Sequence, residues 1–184
     1  MIRTLCLVLA LLLAAPASAD QRFSSLAEPG VVAIMRHALA PGTSDPSDFR
    51  LDDCSTQRNL DRRGRAQARD IGAAIRSAGV SVGRVVTSQW CRCRETAELL
   101  GLGPVEDFPA LNSFFEDGST RGAQARALKA FLAELDPVET VMLVTHQVNI
   151  TALTGRGVGS GEVLLLKVGP EGEVTVIDEI LISP

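Results

Sequence analysis

Ring-bearing side chains are scarce in this 184-residue chain: it has no tyrosine, one tryptophan and two histidines, and aromatics make up 4% of it. The single tryptophan, Trp90, reads as a packing or lid residue beside Arg92 rather than a platform for stacking bases. Excess positive charge is also missing. A formal net charge of -4 argues against nucleic acid or an anionic membrane surface as partner, since both reward a basic face. Cys91-x-Cys93 is too closely spaced for a zinc knuckle and lacks a second pair, so no metal site is expected. Gly155, Gly157, Gly159 and Gly161 alternate, but Ser160 breaks the spacing of a dinucleotide loop. That run also lies between a helix and a strand, the reverse of the required context, so it reads as a connector and no cofactor is expected. Asn149-Ile150-Thr151 matches a glycosylation triplet but falls at an expected buried turn. Internal repeats are absent.

No apolar run reaches the roughly 20 residues that a membrane span needs. The longest, Leu5 to Ala14, follows a short basic start at Met1 to Arg3 and precedes Ala17-Ser18-Ala19, an A-x-A cleavage site. Residues 1–19 therefore read as a secretory signal peptide cleaved after Ala19, with no membrane span left in the mature chain and a periplasmic or secreted location. Cys6 would leave with the signal. Cys54, Cys91 and Cys93 remain, in a compartment that permits disulfides. If residues 91–93 are helical, Cys91 and Cys93 point to different sides, so the expected bridge runs from Cys54 to one of them, with Cys91 favoured.

The remaining sequence, 46% hydrophobic and 22% charged over the whole chain, has ordinary values for one domain, here residues 20–184. Val31 to Met35 is a β-branched apolar run of the kind buried on both faces. Ala40 to Asn59, rich in Pro, Gly, Ser, Thr and Asp, reads as a long loop, and loops of that length are usually functional. A helix is expected from an Asp61 cap through Ser77, with Ala68, Ile71, Ala74 and Ile75 on one face. Then follow a strand at Arg84 to Thr87, a helix from about Trp90 to Leu100, and a short strand at Val105 to Phe108. A loop at Pro109 to Gly122, a helix at Ala123 to Leu135 and a strand at Thr140 to Val144 complete the alternation. Val163 to Val168 and Val174 to Ile177 read as a closing hairpin. The expected fold is a three-layer α/β/α sandwich with a mostly parallel sheet and a C-terminal hairpin.

Each of the two histidines directly follows a buried-strand signal, His37 after Val31 to Met35 and Arg36, His146 after Thr140 to Thr145. In open α/β sheets ligands bind at the carboxyl ends of the strands, so both imidazoles are placed to face one pocket. Met35-Arg36-His37-Ala38 resembles the Arg-His-Gly signature of the histidine phosphatase (phosphoglycerate mutase-like) superfamily, with Ala38 where glycine is usual. Leu60-Asp61-Arg62-Arg63-Gly64-Arg65-Ala66-Gln67-Ala68 is similar to that family's Leu-Thr-x-x-Gly-x-x-Gln-Ala helix start. Ser88-x-x-x-Arg92-x-x-x-Thr96-Ala97 resembles its Ser-Pro-x-x-Arg-Ala-x-x-Thr-Ala segment, and Val144-Thr145-His146 fits its second histidine. The parts occur in the expected order and contexts.

The resemblance implies a metal-independent phosphomonoesterase in which His37 attacks phosphorus and is transiently phosphorylated. Phosphoryl transfer depends mostly on positioning and charge stabilisation. Arg36 and Arg92 supply planar forks that pair bidentately with phosphate oxygens, whereas Arg62, Arg63 and Arg65 read as surface residues. Nearby guanidinium charge would favour the neutral, attacking imidazole of His37. His146 is assigned as a donor to a phosphate oxygen, and Thr43 and Gln147 are counted as further substrate contacts. The helix after Ser88 and the turn from His146 through Thr151 would offer N-terminal amides to the same anion.

The general acid departs from the family. Ser113 follows Leu111-Asn112 where one branch has Glu, and Gln147 stands where another has Asp, which leaves Glu116, Asp117 or no acid at all. Export favours cell-envelope or scavenged small-molecule phosphate esters as partners, and no assembly is read from the sequence. Two rivals are a phosphate-ligand-binding or scaffolding domain with the same pocket, and a redox protein built on Cys54, Cys91 and Cys93.

Overall fold

The computed structural model describes residues 19–184. The signal-peptide reading of residues 1–19 therefore lies outside the described residues, except for Ala19, which opens the short helix α1 (Ala19–Arg22).

Alternation along the buried strands sets the layering. In β1 (Val31–Arg36), Val31, Ala33 and Met35 face one side of the sheet while Val32 and Ile34 face the other. The neighbouring β4 (Val141–Thr145) divides in the same way, Met142 and Val144 against Val141 and Leu143. Both faces must be covered, and the crossover helices cover them. On the first face lie α2 (Arg62–Ser77) and α3 (Cys91–Leu100), with Ile71, Ile75, Ala97 and Leu100 in the core. On the second lie α4 (Arg121–Ala133) and α5 (Gln147–Thr154), contributing Leu128, Leu132 and Ile150. The expected α/β/α sandwich is present.

The sheet order is β3-β2-β4-β1-β5-β6, where β2 is Arg84–Thr87, β3 is Val105–Asp107, β5 is Val163–Val168 and β6 is Val174–Ile180. The first four strands in that order are parallel; β5 runs antiparallel to β1, and β6 antiparallel to β5. The hairpin extends further than its apolar pattern suggests, because Ile180 pairs with Val163 at the end of the ladder. Similarly, α4 begins at Arg121 rather than Ala123, on a one-turn 3-10 helix capped by Asp117.

α2 is anchored at both ends of its buried face. The Asp61 carboxylate accepts from the Gly64 N–H at 2.7 Å, the expected cap. A Cβ at Gly64 would stand 2.0 Å from the Leu39 carbonyl oxygen, and one at Gly72 would stand 1.9 Å from that of Leu100. Both glycines are therefore close-approach residues: the first lets α2 press on the segment just after His37, and the second lets it cross the end of α3.

Candidate active site

Strand register alone brings the two histidines together. Arg36 pairs with Thr145 at the carboxyl ends of the adjacent parallel strands β1 and β4, and the His37 N–H donates to the Thr145 carbonyl at 2.9 Å. His37 and His146 therefore leave neighbouring strand ends side by side, with ring centroids 5.6 Å apart. Ser88 emerges from β2 on the other side of β4, its N–H donating to Val144 O at 3.0 Å. This crevice lies where the chain order of the strands reverses.

The motif residues around His37 act as its mounts. His37 Nδ1 lies 2.8 Å from the Ala38 carbonyl, which can only accept, so Nδ1 carries the hydrogen and Nε2 keeps its lone pair. The Ala38 N–H donates to Thr96 Oγ1 at 3.1 Å, and Thr96 in turn donates to the Arg92 carbonyl at 2.6 Å. Gln67 accepts from the Leu39 N–H at 2.9 Å and donates to Ser160 O and Ile182 O at 2.9 and 2.8 Å. The alanine in place of the family's usual glycine is accommodated: Ala38 is buried with Ala40, Leu60 and Ala68, and no non-glycine residue among those described has positive φ.

His146 is held from its far side. Its Nε2 is 2.9 Å from Ser88 Oγ, and its Nδ1 is 3.5 Å from Arg92 Nη2. Trp90 stands edge-on to it with centroids 5.4 Å apart. Burial and then the positive charge of Arg92 push both imidazoles well below the ordinary value of 6.5, with Arg36 and Arg58 adding to the effect. For His37 the Ala38 carbonyl opposes this shift without reversing it. The Cys93 thiol, 3.4 Å from His146 Nε2, is pushed up to about 12 by burial, which keeps it protonated and unreactive.

Arg36, Arg92, His37 and His146 line one cavity of about 880 Å³, together with Thr43, Gln147, Glu116 and Asp117. Every residue singled out in the sequence for catalysis or substrate contact thus borders the same space. Their settings differ. Gln147 is within 3.4 Å of Arg36 Nη1. Thr43 lies on the exposed rim, as does Glu116, and neither has a side-chain hydrogen bond or ion pair. The Asp117 carboxylate is occupied with Ser119, whose hydroxyl and then N–H hold it below the usual range.

Two further residues enter that the sequence reading passed over. Asp45 accepts from Arg92 Nη1 at 2.8 and 3.0 Å, from the Arg58 N–H at 2.9 Å and from Trp90 Nε1 at 3.1 Å. Burial raises the pKa of this carboxyl, but the hydrogen bonds and charge of Arg92, with Arg58 N–H and Trp90, outweigh it and leave it below the ordinary value. Arg58 contributes a third guanidinium, lowered to about 10 by burial and by Arg92. The Nε groups of Arg36, Arg58 and Arg92 are all buried without a partner, an arrangement that suits an anion and costs stability without one. Their only available signal was the length of the loop that carries Asp45 and Arg58.

Part of the approach to α3 is occupied by side chains: Gln89 N–H donates to Asn112 Oδ1, Trp90 N–H to Ser88 Oγ, and the first helical amide, Cys91 N–H, to Gln57 Oε1. The guanidinium groups bordering the cavity supply positive field there. The expected Cys54–Cys91 disulfide is present, tying the long loop to the start of α3, while Cys93 is free and buried. Among the described residues, no group of three or more His, Cys, Asp or Glu is placed to hold a metal ion.

Comparison with known proteins places this geometry. The structure of the protein histidine phosphatase SixA complexed with tungstate is 21% identical, covers 82% of this chain and 96% of its own, and gives a TM-score of 0.58. A phosphoserine phosphatase from Entamoeba histolytica in complex with 3-phosphoglyceric acid is 14% identical, with 83% and 97% covered and a TM-score of 0.58. A mycobacterial glucosyl-3-phosphoglycerate phosphatase complexed with VO3 is 18% identical, with 74% and 92% covered and a TM-score of 0.55. At these identities the likeness is one of fold. No curated protein sequence gives a significant match. The family model described as histidine phosphatase superfamily (branch 1) matches residues 32–115, which include His37, Arg58, Gln67 and Arg92. Over residues 32–115, a little under half of the chain, the sequence is thus similar to the histidine phosphatase superfamily, and the fold is like that of the solved phosphatases.

Proposed function

We propose that the protein is an exported phosphatase that hydrolyses phosphomonoesters through a phosphohistidine on His37, without a metal or cofactor. The observation that carries this reading is the convergence of two neutral imidazoles and three guanidinium groups on one cavity. Nε2 of His37 attacks phosphorus, the ester P–O bond breaks, and its electron pair leaves on the alcohol oxygen. Arg36, Arg58 and Arg92 hold the equatorial oxygens, with buried Nε groups still free to donate. His146 Nε2–H donates to Ser88 Oγ, whose own hydrogen goes to Asn112 Oδ1, and Nδ1 faces Arg92 Nη2. His146 would donate to a phosphate oxygen once the bound anion brings a proton to Nδ1. Water then attacks the phosphohistidine, releasing inorganic phosphate and restoring His37.

Glu116 is the carboxylate at the cavity mouth left free to protonate the leaving oxygen, since Asp45 and Asp117 are committed to other partners. Thr43 and Gln147 contact the substrate at the rim. The relatives complexed with tungstate and VO3 hold oxyanions of the kind this clamp would bind. Export to the periplasm or beyond agrees with the Cys54–Cys91 bridge, and no helix among the described residues is long and apolar enough to cross a membrane. A cell-envelope or scavenged phosphate ester would then be the partner. Purified mature chain should hydrolyse para-nitrophenyl phosphate in the presence of chelator, and His37→Ala should lose that turnover by at least about 1,000-fold. Turnover that survives the substitution removes the mechanism; none from the wild type favours a phosphate-binding role.

A further inference from the structure

We propose that the outer part of this cavity is a ring-binding subsite, so that the preferred substrates are phosphomonoesters of alcohols that carry an aromatic ring close to the ester oxygen. The proposal rests on the phosphatase reading above and names the substrate class of the same site. The chain has six phenylalanines and one tryptophan, and four of those seven rings, Phe49, Trp90, Phe114 and Phe115, line the cavity. The other three, Phe23, Phe108 and Phe131, pack into the two layers of the core. A chain so poor in aromatics gathers most of them at this cavity, where Trp90 and Phe114 also pack against the interior while Phe115 stands exposed.

Their arrangement forms a path from the reacting centre to the mouth. Trp90 stands edge-on to His146, and Phe49 stacks on Trp90 with centroids 5.1 Å apart and an interplanar angle of 16°. Phe115 is 55% exposed, which has no packing explanation, and it borders the same space with Val148 and Ala152. A phosphate occupies only a small part of about 880 Å³, so the remaining volume is available to the alcohol half of the ester. The walls also carry polar side chains such as Ser44, Ser47, Ser113, Arg121 and Thr151, so it is the four aromatic side chains gathered there, and not a lack of polar groups, that point to a ring. Those side chains favour flat apolar groups through area and edge-to-face contact.

Benzyl phosphate and ethyl phosphate test this directly, because both release an alkoxide and differ mainly in the ring. The wild-type kcat/KM should favour benzyl over ethyl phosphate by at least about tenfold. Phe115→Ala, at an exposed position with no folding role, should cut that ratio severalfold, and Phe49→Ala should cut it further. Inhibition by inorganic vanadate, which reads the guanidinium clamp alone, should shift far less. Equal kcat/KM for the two esters, or a ratio unchanged in both variants, overturns the ring subsite while leaving the phosphatase standing. No turnover of either ester or of para-nitrophenyl phosphate overturns the phosphatase reading and this proposal with it.

Discussion

His37 owes its protonation state to its surroundings, and the consequence can be measured. Burial and then the charge of Arg92 place its pKa well below 6.5, so as pH falls through 6.5 the imidazole stays neutral and competent to attack. The kcat/KM profile for a phosphomonoester reports groups of the free enzyme and the free substrate, so after correction for the substrate's own second phosphate ionisation it should keep its plateau well below pH 6.5. An acid limb centred at pH 6.5 that survives this correction would show that the clamp does not act on His37. Stability takes the opposite course. His37 and His146 are neutral in the fold but titrate near their ordinary value of about 6.5 when unfolded, so below that pH the unfolded chain binds more protons. The protein should lose stability from pH 6.5 downward while the proposed nucleophile, His37, stays neutral. The location of His37, His146, Arg36 and Arg92 around one cavity was legible in the sequence, since each sits at a strand end or in a motif with a fixed structural context. It was not legible for Asp45 and Arg58, which occupy an aperiodic loop whose path is decided by the Cys54–Cys91 bridge and the Asp45 hydrogen bonds.

Among the elements, α2 and the long loop do most to position the site. Gly72 lies where α2 meets the last turn of α3, and an added Cβ would stand 1.9 Å from backbone oxygen, with no flexible side chain to yield. Gly72→Ala should destabilise the protein by about 1–3 kcal/mol despite the better helix propensity of alanine, and lower Tm by several degrees in a thermal melt. An unchanged Tm would mean the two helices do not approach this closely. The disulfide makes a separate prediction. It closes a loop of 37 residues, for which chain entropy implies about 4 kcal/mol, so Cys54→Ser should lower the urea midpoint strongly. It should also raise KM, because the freed loop carries Asp45, Arg58 and Phe49 to the cavity. Reductant should reproduce both effects in the wild type and do nothing further to the variant. A bridge from Cys54 to Cys91 or Cys93 was foreseen because adjacent-but-one cysteines on a helix point apart, which does not by itself choose between the two; the bond from Cys91 N–H to Gln57 was not, since Gln57 comes from a loop without periodic signal.

For the whole molecule, the order β3-β2-β4-β1-β5-β6 does what no single motif does. It places the two histidine-bearing strands next to each other, with the Ser88 and Arg92 segment on one flank, although these residues are far apart in the chain. Strands and helices were readable because periods of 2 and 3.6 survive in the apolar pattern. Their order in the sheet follows instead from which faces pack, and no strand order was legible in the sequence. The central claim is that this assembly makes His37 a nucleophile. The direct test is to mix the protein with para-nitrophenyl phosphate, quench in alkali, where phosphohistidine survives, and map the phosphoryl group by mass spectrometry. The account predicts one phosphoryl group on the peptide bearing His37, absent from His37→Ala. Turnover with the phosphoryl group on His146 or another residue, or with no phosphorylated protein under conditions that trap the intermediate, would contradict it.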